Sequence, residues 1–391
     1  MPVHILKLRP LSYRCSPQAT MRNEVTEMPD LKTHFTNKNI VVTGGVGSVG
    51  REIVEKLLEF SPNLVRVVDN NESGLFDMEM SFAGHGNIEF YLADITDERE
   101  IRRTFSNMDM CFHSAALKHV PSCERSPFSA VNVNIQGCET VGRAAIEAGL
   151  EKVIFTSSDK AVNPTNVMGT TKLMGERLFT AMNFLRSQQH KTKFSCTRFG
   201  NVLGSRGSVV PLFANQIAKG GPITLTDDRM SRFVMTMSQA ADLVIESMVL
   251  AKGGEVFITK MPVLRIRDLA RVMIDRLAPL YGYTPTDIKV NTVGARPGEK
   301  MWEELSTEEE AGRLLEGEKF LVVLPAGHTR AQREQTYAYE EVSLDPSEVV
   351  YHSDRQPIMD DQQIADLLME DAVLPSEVRT LVDSMQTGEQ Q

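Results

Sequence analysis

The stretch Asn39-Ile40-Val41-Val42-Thr43-Gly44-Gly45-Val46-Gly47-Ser48-Val49-Gly50 decides the fold. Its β-branched opening reads as a buried strand, the glycines Gly44-x-x-Gly47-x-x-Gly50 follow at once, and Arg51 to Phe60 reads as an amphipathic helix. In that setting the glycines make a tight turn and let backbone N–H groups at a helix N-terminus approach a pyrophosphate. A second apolar run, Leu64 to Val68, ends in Asp69, about twenty residues beyond the turn, where a carboxylate can receive an adenosine ribose hydroxyl. A carboxylate there repels a 2′-phosphate, so the expected cofactor is NAD rather than NADP.

Outward from this unit the pattern repeats. Ile88 to Ala93 ends in Asp94, placed either to meet an adenine or to cap the next helix. Met108 to Ser114 leads into Ala115, and Lys152 to Thr156 leads into Ser157-Ser158-Asp159-Lys160. Strands alternating with helices, with polar residues at strand carboxyl ends, predict an α/β fold with a doubly wound parallel sheet of Rossmann type and ligands at those ends. The cofactor-binding candidates are Gly44, Gly47, Ser48, Val49, Gly50, Asp69, Asp94 and Ala115. Beyond Cys196 glycines break the pattern around a further helix, Val209 to Lys219, as expected of a smaller substrate-binding α/β part. The expected organisation is a disordered extension over 1–35, a Rossmann domain over 36–205 with a return at 235–265, a mainly substrate-binding part over 206–330, and a C-terminal segment with a polar tail over 331–391.

The chain has 391 residues and 52 acidic against 42 basic side chains, a net charge of −10, which argues against nucleic acid as a partner. The 5 cysteines are an odd number without paired short spacing, which suits reduced thiols in a cytoplasm. Cys111, His113, His119 and Cys123 lack the spacing of a zinc site, so no metal is expected. No run approaches the length of a membrane span. A homo-oligomer is expected.

The stretches Ser157 to Gly169 (SSDKAVNPTNVMG), Ala115 to Pro121 (AALKHVP), Arg198 to Val202 (RFGNV) and Arg296 to Lys300 (RPGEK) resemble those of bacterial and archaeal UDP-N-acetylglucosamine 4,6-dehydratases. These belong to the extended short-chain dehydrogenase superfamily, and the resemblance is to their soluble short members. It runs from about Asn37 to Glu308 and more faintly through Tyr351-His352-Ser353-Asp354. It implies an internal redox cycle in which C4 of the sugar is oxidised, water is lost across C5 and C6, and the hydride returns to C6.

By that resemblance Lys160 removes the C5 proton, Asp159 protonates the departing 6-hydroxyl and Ser158, where the family usually has Thr, hydrogen-bonds O4. Lys160, beside the cofactor and Lys172, is expected to have a lowered pKa. Simple superfamily members carry Tyr-x-x-x-Lys, whereas this chain reads Met168-Gly169-Thr170-Thr171-Lys172. A thioether moves no proton, so the acid/base work passes to other groups, and the C5 configuration is expected to be retained. Lys172 would anchor the nicotinamide ribose. Lys118, His119, Asn201, Arg206, Arg232, Arg296 and Glu299 are candidates to hold the UDP-sugar, the arginines suiting a diphosphate. The alternatives are a C5-inverting dehydratase, a UDP-sugar 4-epimerase and, more distantly, a non-catalytic NAD-binding regulator.

Overall fold

The structure is a computed structural model, and it describes residues 31–185, 190–327, 329–337, 339 and 350–386. Most of the expected extension, 1–30, and the last residues of the polar tail, 387–391, lie outside the described residues. Residues Leu31–Phe35, assigned above to the extension, instead form a short helix. Its Phe35 is fully buried and stacks on Phe60 at 5.7 Å, so the folded unit begins earlier than expected.

The main sheet has nine strands: β1 (Asn39–Thr43), β2 (Leu64–Asp69), β3 (Ile88–Leu92), β4 (Met110–His113), β5 (Lys152–Ser158), β6 (Lys193–Phe199), β7 (Val256–Thr259), β8 (Leu314–Glu316) and β9 (Phe320–Val323). Their order is β8-β9-β7-β6-β5-β4-β1-β2-β3. Neighbours from β3 to β7 are parallel, while β9 runs antiparallel to β7 and to β8. The chain reverses direction across the sheet between β1 and β4, which opens a crevice at their carboxyl ends.

Strand alternation sorts side chains to two layers. Val41, Cys111 and Val153 pack with Cys138, Val141 and Phe179, burying helices α2 (Gly137–Ala148) and α3 (Val167–Met182) on one face. Ile40, Val42, Phe112 and Ile154 pack on the other face against α1 (Ser48–Glu59) and α4 (Met237–Leu250) through Ile53, Leu57, Val244 and Met248.

β7 lies within the expected return at 235–265, and β8 and β9, from the later part of 206–330, also join the main sheet. A third core of Phe213, Ile217, Leu269 and Met273 also takes in Ile364, Leu368 and Val373. Part of the presumed tail therefore folds as helices, Asp361–Leu368 and Ser376–Gln386, the first of them packed against this smaller part. A buried ion cluster ties the pieces together. Arg198 on β6 meets Glu176 on α3 at 2.7 Å and Glu310 at 3.0 Å, and these contacts outweigh burial to hold the Glu310 carboxyl down at about 2.

Candidate active site

The glycine turn fits a dinucleotide by what it excludes. Gly44 has φ +70°, and a Cβ there would lie 2.5 Å from the backbone N of Ala115; a Cβ on Gly50 would lie 2.2 Å from the carbonyl O of Gly44. The turn therefore stays open to a ligand backbone approaching the start of α1. Asp69 is fixed at the end of β2, its Oδ2 accepting from Val46 N at 3.1 Å and its Oδ1 from Asn71 N at 3.0 Å. Asp94 does not cap the next helix; Asp97 does. Asp94 instead accepts from Thr96 Oγ1 at 2.7 Å and from Asn70 Nδ2 at 3.2 Å. Burial pushes its carboxyl up, but those hydrogen bonds outweigh it and leave the pKa lowered. Gly44, Gly47, Asp69, Asp94 and Ala115 line one cleft of about 250 Å³.

A larger cleft of about 550 Å³ continues from it over Ser48, Val49 and Gly50 to Lys118, His119, Ser158, Lys160, Met168, Lys172 and Asn201. A third, of about 150 Å³, opens beyond it between Lys160, Asn201, Arg232, Arg296, Glu299 and Glu303. Lys160 and Asn201 border both, so they mark the junction between the nucleotide cleft and the distal one.

At that junction Lys160 Nζ lies 3.0 Å from Asp159 Oδ1 and 3.4 Å from Asn201 Oδ1. Ser158 Oγ donates to the same Asp159 oxygen at 2.6 Å. The short helix Asp159–Ala161 is capped by Ser158, which turns this trio inward from the end of β5. Asp159 itself is fully buried, and its Oδ2 has no hydrogen-bond partner. The cleft reaches this carboxylate through Ser158 and Lys160.

The lowered pKa expected of Lys160 is also overturned. Burial pushes it down, but the Asp159 and Glu303 carboxylates outweigh that and hold it above the ordinary lysine range. Lys172, by contrast, is brought down by burial to about 8. It donates to the Thr156 carbonyl at 2.8 Å and sits 4.7 Å from the centre of the Phe155 ring. Met168, at the start of α3, is 3% exposed and packs with Cys123 and Ala130 at the cleft wall. Lys118 and His119 are exposed at its mouth, each with a lowered pKa from burial and then from a neighbouring cation.

The substrate candidates separate into two groups. Arg206 lies across the glycine turn: its N donates to Ser48 Oγ at 3.3 Å, and its guanidinium donates to the Val46 carbonyl. This groups it with the cofactor clefts rather than with Arg232 and Arg296. Arg232 donates to the carbonyls of Ser231 at 2.8 Å and Lys300 at 2.8 Å, and so holds the loop that carries Arg296 and Glu299. Arg296 is exposed, and its N donates to Glu299 Oε2 at 3.2 Å.

Glu303 was not singled out from sequence. It is buried 3.8 Å from Lys160 Nζ, and the one available signal was its place just past the Arg296 to Lys300 run.

Fold and site together define a nucleotide-binding Rossmann protein with a lysine-carboxylate centre at the mouth of its sheet. Residues 40–325 match the family described as polysaccharide biosynthesis proteins, and the chain belongs to that family. It is 49% identical, over 76% of this chain and 89% of the other, to an uncharacterized membrane protein of Methanocaldococcus jannaschii. A UDP-N-acetylglucosamine 4,6-dehydratase (inverting) of Campylobacter jejuni is 35% identical over 75% of this chain and 84% of its own. A UDP-glucose 4-epimerase of Rickettsia canadensis is 35% identical over 71% of this chain and 80% of its own. The crystal structure of Pen from Bacillus thuringiensis superposes with a TM-score of 0.79 and 39% identity, covering 87% of this chain and 99% of that one. Among the described residues no helix is long and apolar enough to cross a membrane.

Proposed function

We propose that the chain is a UDP-N-acetylhexosamine 4,6-dehydratase that works by internal hydride transfer. The carrying observation is the Ser158, Asp159 and Lys160 cluster at the junction of the two clefts. An epimerase needs acid/base help at O4 alone, whereas this cluster offers an amine and a hydroxyl-carboxylate pair side by side. Gly44, Gly47, Gly50 and Asp69 would hold NAD, which when bound would supply the hydride acceptor and donor for such a cycle.

In this reading Ser158 faces the sugar O4 and passes its proton to Asp159, along the 2.6 Å hydrogen bond between them. Lys160 takes the proton at C5, which the adjoining 4-ketone acidifies. Asp159, reached through Ser158 and Lys160, supplies the proton that lets the 6-hydroxyl depart as water. Lys172 orients the ribose next to the sugar, and Asn201 steadies Lys160. Arg232 and Arg296 face the UDP end, while Arg206 covers the dinucleotide.

The stereochemical part of the proposal rests on Met168 alone. With a thioether at the wall, the C5 proton returns from Lys160 on the face it left, and the product keeps its configuration. Two of the relatives above carry other outcomes in their names, inversion at C5 and epimerisation at C4, and a 4-epimerase is the second reading. Incubation with UDP-N-acetylglucosamine and mass spectrometry separates the two: a dehydratase product is lighter by one water, whereas an epimer has unchanged mass. NMR of the fresh product then reads C5.

A further inference from the structure

Lys160 is held between two carboxylates, and one of them comes from far along the chain. Glu303 Oε1 stands 3.8 Å from Lys160 Nζ and 3.8 Å from Arg232 Nε. The side chain is almost wholly buried, its Oε2 has no hydrogen-bond partner, and it borders the distal cleft. Its backbone is locked from both directions: Glu303 N donates to Ser353 Oγ at 2.9 Å, and Ser353 N donates to the Glu303 carbonyl at 2.9 Å. Ser353 in turn meets Ser231 Oγ at 2.8 Å, beside Arg232. A buried carboxyl with an idle oxygen is costly to keep, and such a group in a cleft calls for a role.

The charges around the pair come from every neighbouring segment. Asp159 and Lys160 belong to the end of β5, Arg232 to the strand Ser231–Met235, and Lys300 and Glu304 to the loop bearing Glu303. His352, on the segment with Ser353, lies 3.6 Å from Glu304, and Lys172 on α3 turns away to the Thr156 carbonyl. Lys160, next to Asp159, starts as an ammonium and cannot accept a proton from carbon until it has given one away. Burial raises the Glu303 carboxyl, which favours its protonated form.

We propose that Glu303 is the positioning residue that unloads Lys160: a proton moves from the Lys160 ammonium to the Glu303 carboxylate, leaving a neutral amine to attack the C5 proton. One N–H bond breaks and one O–H bond forms, no charge leaves the site, and no outside reagent is needed. The 3.8 Å separation exceeds a hydrogen bond, so a torsional adjustment of the Lys160 end brings the two together. This rests on the dehydratase reading above, because only that reaction uses a base at C5.

The test is Glu303→Gln in the full chain, assayed with UDP-N-acetylglucosamine against Glu303→Asp and the parent. The parent kcat should be nearly flat between about pH 6 and 8, because the proton stays in the site. Glu303→Gln should keep its dinucleotide and KM, lose about tenfold or more in kcat at neutral pH, and gain about tenfold per pH unit as Lys160 discharges to solvent. Glu303→Asp retains a carboxylate and should lose less, with the parent's flat profile. A Gln variant matching the parent in kcat and profile overturns the proposal, as does an Asp variant behaving like Gln or a parent whose own kcat already rises with unit slope. Should the parent release an epimer instead of a dehydrated product, the dehydratase reading itself falls and takes the proposal with it.

Discussion

Lys160 and Asp159 carry different burdens from those their sequence neighbourhood suggests. Lys160 faces the junction of the clefts, while Asp159 is sealed behind it with one free oxygen. Lys160→Ala and Asp159→Asn should therefore both lose turnover and keep the dinucleotide, whose expected anchors are Gly44, Gly47, Gly50 and Asp69 rather than these two residues. Steady-state rates and release of bound dinucleotide on denaturation check this; either variant within about tenfold of the parent, a barrier change of only ~1.4 kcal/mol, removes that residue from the mechanism. The trio was legible because Ser158, Asp159 and Lys160 are adjacent in sequence. Glu303 was not, because burial beside Lys160 depends on a loop pinned by Ser353, which no local pattern announces. The place of Arg206 was not legible for the same reason: only the folded loop sets its guanidinium against the Val46 carbonyl.

At the scale of elements, the turn from β1 to α1 and the crossing of β1 with β4 carry the dinucleotide end. Gly50→Ala places a methyl group 2.2 Å from the Gly44 carbonyl, so the turn must shift although the rest of the sheet need not. The variant should fold, by circular dichroism, yet emerge from purification without bound dinucleotide; full occupancy would show that the turn tolerates the change. Beside it His113 lies fully buried, its Nδ1 2.7 Å from Thr43 Oγ1. Burial, then the Lys172 charge, brings it down from 6.5 to about 3. The folded state thus resists a proton that the unfolded chain accepts, so this stability is present above pH 6.5 and is lost as pH falls toward about 3. The slope reaches at most about 1.4 kcal/mol per pH unit. Urea unfolding across that window should show a shallower pH dependence for His113→Asn than for the parent; equal slopes would remove His113 as a contributor. The runs behind β1 to β5 were readable from sequence, since each is short, largely apolar and soon followed by a polar residue. The short helix Leu31–Phe35 escaped because five residues show no period of their own, and Phe35 finds its place only in the folded core, against Phe60 and Phe112 among others.

For the whole molecule, the path from chain to function runs through topology. The reversal between β1 and β4 opens the dinucleotide crevice, and the end of β5 delivers Ser158 to Lys160 beside it. Arg198 then ties β6 to α3 and to Glu310, joining the main sheet to the segment that follows Glu303. The doubly wound sheet was legible from alternating runs. The joining of β8 and β9 to that sheet was not, since the antiparallel pairing of β9 with β7 brings together segments far apart in sequence. The central claim is that a hydride leaves C4 of the sugar and comes back at C6 after water has gone. UDP-N-acetylglucosamine carrying deuterium at C4, turned over by the parent protein and read by NMR, follows that hydride directly. The account predicts a 4-keto product with deuterium in its C6 methyl group; a product of unchanged mass with deuterium still at C4 would contradict it.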